Sequence, residues 1–245
     1  MESFNQHKVE WTEEKIKRFW NYFVDNSALL KLSFAAEVGQ DIIKRTKKYL
    51  KPDFNILDYG CGGGALMGYL FEKGYSCQGL DASADSLGVV KKRFNGNKLF
   101  RGVILSTEIP NKTIAPATYD FIYSIEMIEH LLPDKVENYF KELARILKPG
   151  GYIFITTPYK ENLEKYSVLC PDCGAIFHRV QHLNSFTEES LSALMEKSGF
   201  KTVIYQATLL EKPNLLNKIK FVINLLLGRK RKKQHLIYLG QKNNL

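Results

Sequence analysis

Residues 56–64 read Ile-Leu-Asp-Tyr-Gly-Cys-Gly-Gly-Gly, and Asp81 ends the next apolar run, twenty-one residues after Gly60. The stretch closes a short apolar run and is followed by helical spacing over 65–71, so its glycines lie in a turn from strand to helix. Such a turn lets a ligand approach the backbone and exposes amide hydrogens at a helix N-terminus. A carboxylate at the end of the second strand suits two ribose hydroxyls. The pattern therefore indicates a site for an adenosine-type cofactor.

Asp58 separates two kinds of adenosine-containing ligand. Gly60, Gly62 and Ala65 also satisfy a loose dinucleotide fingerprint, but a carboxylate beside a pyrophosphate would be repelled. Beside a cationic amino-acid cofactor the same carboxylate is favourable. The string Asp58-x-Gly60-x-Gly62-x-Gly64 resembles motif I of the class I S-adenosylmethionine-dependent methyltransferases.

Three later segments resemble the same family in the same order. Residues 119–124 are similar to its fourth strand, 147–151 to the turn into the fifth, and 198–200 to the lead into the sixth. The resemblance covers about residues 52–205. It implies S-adenosylmethionine as the cofactor and an α/β fold. That fold is a Rossmann-like three-layer sandwich around a mostly parallel seven-stranded sheet with an antiparallel last strand pair.

The resemblance also assigns cofactor contacts by position. These are Asp58, Gly60, Cys61, Gly62, Gly64, Asp81, Ser106 and Ser124. The glycines and Cys61 would surround the amino-acid and ribose parts, with Asp58 supporting the loop and Asp81 on the ribose. Relatives usually place an acid before Glu108 to bind the adenine amino group, whereas this chain has Leu105 and Ser106. The adenine contact is therefore expected from the backbone or from Ser106.

The length and composition predict one large domain with small attachments. A chain of 245 residues with 44% hydrophobic content is large enough for a core of its own. No apolar stretch reaches the roughly 18 residues that span a bilayer, and residues 1–10 lack the apolar region of a signal peptide, which predicts a cytoplasmic protein. We expect a helical cap over 1–50, lying on the cofactor side. The methyltransferase domain would follow over 51–245, with insertions at about 159–186 and 213–233.

The segment Glu126-Met-Ile-Glu129-His130 directly follows the predicted fourth strand. Residues at i, i+3 and i+4 share one face of a helical turn, so both carboxylates and the imidazole can converge. In the family, His130 is a natural general base for a substrate hydroxyl, with Glu129 beside it and His182 as a further catalytic candidate. A structural or positioning role for the segment also stays open.

A metal interpretation of the same cluster is a further alternative. Glu126, Glu129, His130 and His182 would suit Mg²⁺, which acidifies a bound hydroxyl. The cluster resembles those of ubiquinone-biosynthesis O-methyltransferases and of small-RNA 3′-end 2′-O-methyltransferases. In the RNA group a later histidine completes the ligand set, and His182 is the matching residue here.

Cys170-Pro-Asp-Cys173-Gly is a turn that commonly directs two thiolates at zinc, and His178 and His182 could complete a tetrahedron. One histidine cannot serve two metals, so zinc bound through His182 and Mg²⁺ bound through His182 exclude each other. A metal-free loop with reduced thiols and a redox pair are the remaining interpretations.

The net charge of +9 is concentrated at the C-terminus. From Lys212 onward there are nine basic residues and no acidic ones, whereas the remaining 26 basic residues balance 26 acids. Apolar residues of 215–227 lie on one helical face, and the basic run 229–233 follows. Such a helix suits an anionic membrane surface or a lipid-linked substrate, although a packed accessory helix is an alternative. Nucleic acid is less favoured because no aromatic residues interleave with the basic run.

These features predict an O-methyltransferase that acts on a small-molecule, glycan or lipid-linked hydroxyl, cytoplasmic or peripheral at the inner membrane surface. The Cys/His insertion, His182 and the basic helix also resemble, more loosely, bacterial methyltransferases associated with surface-polysaccharide synthesis. Two alternatives stay open. One is a metal-dependent RNA 2′-O-methyltransferase, and the other is a binding protein that holds the cofactor without turnover.

Overall fold

The computed structural model describes residues 4–26, 33–212, 217, 223 and 233–244. The helices are α1 (Glu13–Asp25), α2 (Phe34–Thr46), α3 (Ala65–Glu72), α4 (Ala84–Arg93), α5 (Val136–Ile146) and α6 (Glu188–Lys197). The strands are β1 (His7–Lys8), β2 (Ile56–Tyr59), β3 (Cys77–Asp81), β4 (Phe100–Leu105), β5 (Tyr119–Ile125), β6 (Leu147–Pro158), β7 (Ser167–Leu169), β8 (Ala175–His178), β9 (Phe200–Thr208) and β10 (His235–Lys242).

Seven strands form the main sheet in the order β4-β3-β2-β5-β6-β10-β9, and β10 runs antiparallel to both of its neighbours. The predicted Rossmann-like α/β sandwich with its mostly parallel sheet is therefore confirmed. The chain order reverses between β2 and β5, which pair in parallel at the centre. Ligands of such sheets bind outside the carboxyl ends of the strands at this reversal, because the following loops diverge there.

Two hydrophobic clusters cover the two faces of this sheet. One contains buried residues of α2, α3 and α4, and the other contains those of α5 and α6. On α5, Phe140 and Leu143 are fully buried, three residues apart on the face toward the sheet. The two helical layers hold the central strands in place. The carboxyl ends of β2 and β5 are therefore fixed relative to each other at the edge where a ligand would bind.

Helix α2 differs from the prediction of a cap over residues 1–50. Its Val38, Ile42 and Ile43 are buried in the same cluster as the first face of the sheet. Its last residue, Thr46, shares a hydrogen bond of 2.7 Å between its hydroxyl and that of Tyr123 on β5. Burying this apolar face requires contact with the sheet, so α2 belongs to the central sandwich. Helix α1 contacts the turn after β3 through Asn21, and its place over a bound cofactor stays a prediction.

The predicted insertion at about 159–186 builds a second, small sheet. Strands β7 and β8 pair as an antiparallel hairpin, and the N-terminal β1 adds to β8 in parallel. The predicted basic helix over 213–233 lies outside the described residues except for Asn217, Ile223 and Lys233. In the part of the chain that the structure describes, no helix has the length and apolar character needed to cross a membrane.

Candidate active site

The glycine turn after β2 is held against the end of β3. The amides of Gly60 and Cys61 both donate to the carbonyl of Leu80, at 2.8 and 3.0 Å. Gly60, Gly62 and Gly64 all have positive φ, a conformation that glycine adopts without strain. A Cβ on Gly60 would lie 2.9 Å from Met127 Cγ, so the turn directly abuts the segment that follows β5.

Asp81 organises this turn from the end of β3. Its Oδ2 accepts the amide of Gly62 at 2.8 Å, and its Oδ1 accepts the amide of Ser83 at 2.9 Å. Each carboxylate oxygen has a second lone pair, so Asp81 retains capacity to accept two ribose hydroxyls. Burial raises the pKa of Asp81, while the hydrogen bonds from Ser83 and Gly62 act in the opposite direction.

Asp58 is buried at the end of β2, and burial together with the charge of Asp81 raises its pKa to about 7. Among the described residues, no lysine or arginine forms an ion pair with Asp58 or Asp81. Two neighbouring acids with no basic partner favour a cationic ligand, because a cation offsets the cost of ionising them. The residues therefore fit S-adenosylmethionine, whose sulfonium and amino groups are positive.

The other predicted cofactor residues differ in whether their side chains are free to contact a cofactor. Cys61 is buried in the turn, and burial raises the pKa of its thiol well above the ordinary value. The backbone amide of Ser106 donates to the carbonyl of Asp81, and the Ser106 hydroxyl donates to the carbonyl of Glu108. The hydroxyl oxygen of Ser106 can still accept a hydrogen bond. Ser124 is fully buried below the site, where its hydroxyl bonds Tyr139 at 2.8 Å. The cofactor contact predicted for Ser124 stays a prediction, and it would fall to the backbone because β5 directs the side chain into the core.

Helix α1 covers the site from the cofactor turn to the insertion. At one point Asn21 accepts the hydroxyl of Ser83 at 3.0 Å. Near the insertion, the indole N–H of Trp20 donates to Gln181 Oε1 at 2.9 Å, and the indole ring lies 4.7 Å from the ring of His130. We call the Trp20 side of helix α1 the roof of the site, because its indole covers His130 and reduces the access of water to that imidazole.

The acidic segment after β5 is deeply sequestered. Glu129 is fully buried, and its Oε2 accepts the hydroxyl of Thr157 at 3.0 Å. Burial raises the pKa of Glu126 to about 8 and that of Glu129 well above its usual range. One carboxyl oxygen of each, Oε1, is buried without a hydrogen-bond partner. Both groups are therefore predominantly protonated near neutral pH unless a cation approaches them.

His130 lies beside Glu129, with 3.9 Å between His130 Nε2 and Glu129 Oε1. Burial, and then the neighbouring His182, lower the pKa of His130 to about 3, so its imidazole is neutral. His130 Nδ1 faces the carbonyl of Gln181 at 3.4 Å. A carbonyl only accepts, so Nδ1 carries the proton and Nε2 carries the lone pair.

The insertion brings His182 to the same place. The rings of His130 and His182 lie 4.8 Å apart, and His182 stacks on His178 at 4.5 Å. Glu161, which the sequence did not single out, bonds His182 Nδ1 through Oε2 and lies 3.6 Å from His178 Nε2 through Oε1. Glu161, Trp20 and Gln181 belong to segments without a family motif, so only their packing identifies them as site residues.

The structure brings together part of one predicted metal set. Ligand atoms of Glu129, His130 and His182 lie within 4.8 Å of one another, and this group does not include Glu126. Glu161, His178 and His182 form a second group of the same kind.

The predicted zinc set of Cys170, Cys173, His178 and His182 does not come together. Among the described residues, no such metal-ligand group includes either cysteine. Cys170 and Cys173 lie at the turn of the β7–β8 hairpin, whereas His178 pairs with Ser167 at its opposite end. Three strand residues separate these positions, about 10 Å at roughly 3.3 Å per residue. The hairpin therefore keeps the thiols away from both imidazoles.

Comparison with known proteins gives matches over most of the chain. A family profile described as a methyltransferase domain matches residues 32–205. The ubiquinone biosynthesis O-methyltransferase of Vibrio cholerae is 27% identical over 172 residues, which are 67% of this chain and 64% of that protein. The protein of the same name from Sodalis glossinidius is 36% identical over 107 residues, 42% of this chain and 41% of its own length. The matches thus span 64% and 41% of the length of these two curated relatives, less than two thirds of each.

Solved structures share the fold. A 1,6-didemethyltoxoflavin-N1-methyltransferase from Burkholderia thailandensis, bound to 1,6-didemethyltoxoflavin and S-adenosylhomocysteine, superposes with a TM-score of 0.65 at 16% identity. That match covers 98% of this chain and 93% of the Burkholderia chain. A SAM-dependent methyltransferase from Methanosarcina mazei gives a TM-score of 0.60 at 20% identity and covers 81% of this chain and 97% of its own.

Replacing Asp81 by Asn tests the proposed ribose contact. We expect the affinity for S-adenosylmethionine to fall about 10- to 100-fold, because charge-assisted hydrogen bonds worth roughly 1.5–3 kcal/mol would be weakened. Isothermal titration calorimetry measures the change, and Asp85→Ala on the exposed start of α4 is the control. An Asp81→Asn protein that binds as tightly as the unaltered chain would remove this assignment.

The raised pKa of Asp58 predicts a pH-dependent affinity. Below about pH 7 the free protein holds Asp58 protonated. A bound cation favours the ionised form, so affinity for S-adenosylmethionine should rise as pH increases from 5 to 8. Asp58→Asn should reduce this slope without abolishing it, because the pKa of Asp81 is raised as well. Calorimetry across this pH range measures both slopes, and equal slopes would contradict a role for Asp58.

Proposed function

The chain belongs to the class I S-adenosylmethionine-dependent methyltransferase family, and on that premise we propose that it methylates a hydroxyl of a small-molecule, glycan or lipid-linked acceptor. The supporting observation is the cluster of Glu129, His130 and His182. The segment that carries Glu129 and His130 abuts the glycine turn through Met127. An acceptor bound at this cluster would lie next to the methyl donor. The O-methyltransferase relatives also favour oxygen as the acceptor atom.

S-adenosylmethionine supplies an electrophilic methyl group on a positively charged sulfur. Residues of the chain must hold an acceptor oxygen in line with that methyl group and remove its proton as the new carbon–oxygen bond forms. His182 is the proposed proton acceptor, because the negative charge of Glu161 at its Nδ1 would stabilise the imidazolium that forms. The acceptor would thus lose its proton to His182 and gain the methyl group, with the electron pair of the broken carbon–sulfur bond left on sulfur.

His130 has a different proposed role. Its pKa of about 3 makes it a weak base, since an efficient base has a pKa near the working pH. A neutral imidazole with a free Nε2 lone pair can instead accept a hydrogen bond and orient the acceptor hydroxyl. Trp20 covers one side of this imidazole, so the roof and His130 would together fix the position of the acceptor.

A divalent cation at the same cluster is the second candidate mechanism. It is supported by the Glu129–His130–His182 group and by the buried, unpartnered Oε1 atoms of Glu126 and Glu129. A dication would favour the ionised carboxylates and could bind substrate oxygen atoms. This arrangement would suit the vicinal hydroxyls at an RNA 3′ end, so RNA 2′-O-methylation is the function paired with this candidate.

Among the small-molecule, glycan and lipid-linked acceptors proposed above, the lipid-linked acceptor has support of its own. The support is the basic, amphipathic segment 213–233, most of which lies outside the described residues. Near an anionic membrane each lysine or arginine contributes about 1 kcal/mol. Peripheral attachment to the inner membrane surface, and a cytoplasmic location of the enzyme, follow from this proposal.

A methyl-transfer screen tests the acceptor class. The full-length protein is incubated with methyl-labelled S-adenosylmethionine and with glycans, quinone-like phenols, lipid-linked sugars in anionic vesicles, or short RNAs. We expect labelled methyl ethers on a non-nucleic-acid acceptor, and a loss of about 10²- to 10⁴-fold in His182→Ala, the range for a general base. His7→Ala in the small sheet is the matched control. Labelling confined to nitrogen, carbon or RNA would contradict the proposal.

Chelation separates the two mechanisms. If His182 acts without metal, methyl transfer should survive exhaustive treatment with EDTA, because the chain itself then supplies the proton acceptor. Calorimetric binding of S-adenosylmethionine under the same conditions controls for unfolding. Loss of activity that Mg²⁺ or Mn²⁺ restores would establish the metal-dependent candidate, and Glu129→Gln should then abolish the restoration.

A further inference from the structure

Glu161 is a partly buried acid whose partners are two imidazoles. Its side chain is 14% exposed, and both of its ion-pair contacts are to histidines, His178 and His182. Among the described residues, no lysine or arginine pairs with it. A carboxylate placed between two histidines controls where their ring protons lie, because its oxygens only accept hydrogen bonds.

The proton positions follow from the hydrogen bonds around the two rings. The backbone N–H of His182 donates to His178 Nδ1 at 3.1 Å, so this nitrogen carries a lone pair. A ring whose Nδ1 carries the lone pair bears its proton on Nε2, which lies 3.6 Å from Glu161 Oε1 and has no hydrogen-bond partner within the described residues. His182 presents Nδ1 to the other oxygen of Glu161 and must donate there. His182 Nε2 is therefore left with the free lone pair.

We propose, on the basis of the function proposed above, that Glu161 is a positioning residue that holds His182 in the Nδ1–H tautomer, with His178 as its support. In this form the Nε2 lone pair of His182 is available at the acceptor cluster with Glu129 and His130. His178 supports this arrangement because its Nε2 lies 3.6 Å from the second oxygen of Glu161 and its stacked ring fixes the plane of His182. Glu161 acts through His182 and does not itself touch the acceptor.

The same three residues could be regarded as a metal site, since their ligand atoms lie within 4.8 Å of one another. The hydrogen bonds argue against this alternative. A cation bound at His178 Nε2 would displace the only proton of the ring while Nδ1 still accepts from His182, leaving an imidazolate. A carboxylate that accepts the N–H of His182 and lies 3.6 Å from the N–H of His178 has no such cost.

The proposal is tested on the full-length protein with ¹⁵N-labelled histidine by NMR, which reports the tautomer of each ring. The signals of His182 and His178 are assigned with His182→Ala and His178→Ala. In the unaltered chain we expect Nδ1–H at His182 and Nε2–H at His178. In Glu161→Ala the His182 Nδ1–H loses its acceptor, so the Nε2–H form should become the majority. Glu164→Ala, an exposed acid of the same insertion, is the matched control and should change neither ring.

Kinetics give the second readout. For Glu161→Ala we expect kcat to fall about 10²- to 10⁴-fold, the range for a general base. The KM for S-adenosylmethionine should stay the same, because its proposed ligands lie elsewhere. Glu161→Asp should recover part of the rate. An unchanged His182 tautomer in Glu161→Ala would overturn the proposal, as would an unchanged kcat in that variant when His182→Ala is impaired. Displacement of the His178 ring signals by added Zn²⁺ or Mg²⁺ would also overturn it.

The NMR and activity measurements together separate the positioning role of Glu161 from the proposed O-methyl transfer. If no hydroxyl acceptor is methylated but the His182 tautomer changes in Glu161→Ala, the positioning role of Glu161 stands and the O-methyl assignment falls. If methyl transfer to a hydroxyl depends on His182 but the tautomer is the same in Glu161→Ala, the O-methyl assignment stands and the positioning role falls.

Discussion

The convergence of two backbone amides on the carboxylate of Asp81 is the constraint on which the site depends. Gly62 and Ser83 donate to its two oxygens, so one side chain joins the turn after β2 to the turn after β3. The hydroxyl of Ser83 then bonds Asn21, which extends the connection to helix α1. A polar group at the end of a strand thus determines both the shape of the cofactor turn and the position of the roof above it.

A second set of backbone bonds attaches the insertion to the segment after β5. The carbonyl of Glu129 accepts the amides of Leu183 and Asn184 at 2.8 and 3.1 Å. The side chain of Gln181 bridges the carbonyl of His130 and the indole of Trp20. Backbone groups away from water need hydrogen-bond partners, so these bonds attach the insertion at a defined position. His182 consequently reaches the cluster of Glu129 and His130 from a part of the chain 52 residues after His130.

Electrostatics at this site follow from burial more than from pairing. Asp58, Glu126 and Glu129 all have pKa values raised by desolvation, and His130 has a lowered one. The unliganded cluster is therefore close to neutral although it contains several ionisable groups. A positively charged ligand or a dication would reverse this state, because the carboxylates would then ionise. Glu161 has partners of another kind, since one of its oxygens bonds His182 Nδ1 and the other lies 3.6 Å from His178 Nε2.

The predictions that succeeded concern residues close together in the chain. The strand–glycine–helix turn, the acid at the end of β3 and the alternation of strands and helices identify the fold, because each is a local pattern. Other features depend on distances across the chain. The direction of the Ser124 side chain is one, since the family position does not say whether β5 directs it upward or into the core. The Cys170–His182 zinc set is another, because close spacing in sequence placed together residues that a hairpin separates.

The amino-acid sequence by itself determined the family, the methyl donor and the turn that would bind it, since each depends on backbone geometry encoded by neighbouring residues. Tertiary structure alone decided which polar groups meet at the acceptor cluster. Glu161, Gln181 and Trp20 reach it from three separate segments, and no periodicity or motif records their approach. Such contacts arise when the insertion and α1 fold over the ends of the strands, where hydrogen bonding and exclusion of water select the partners.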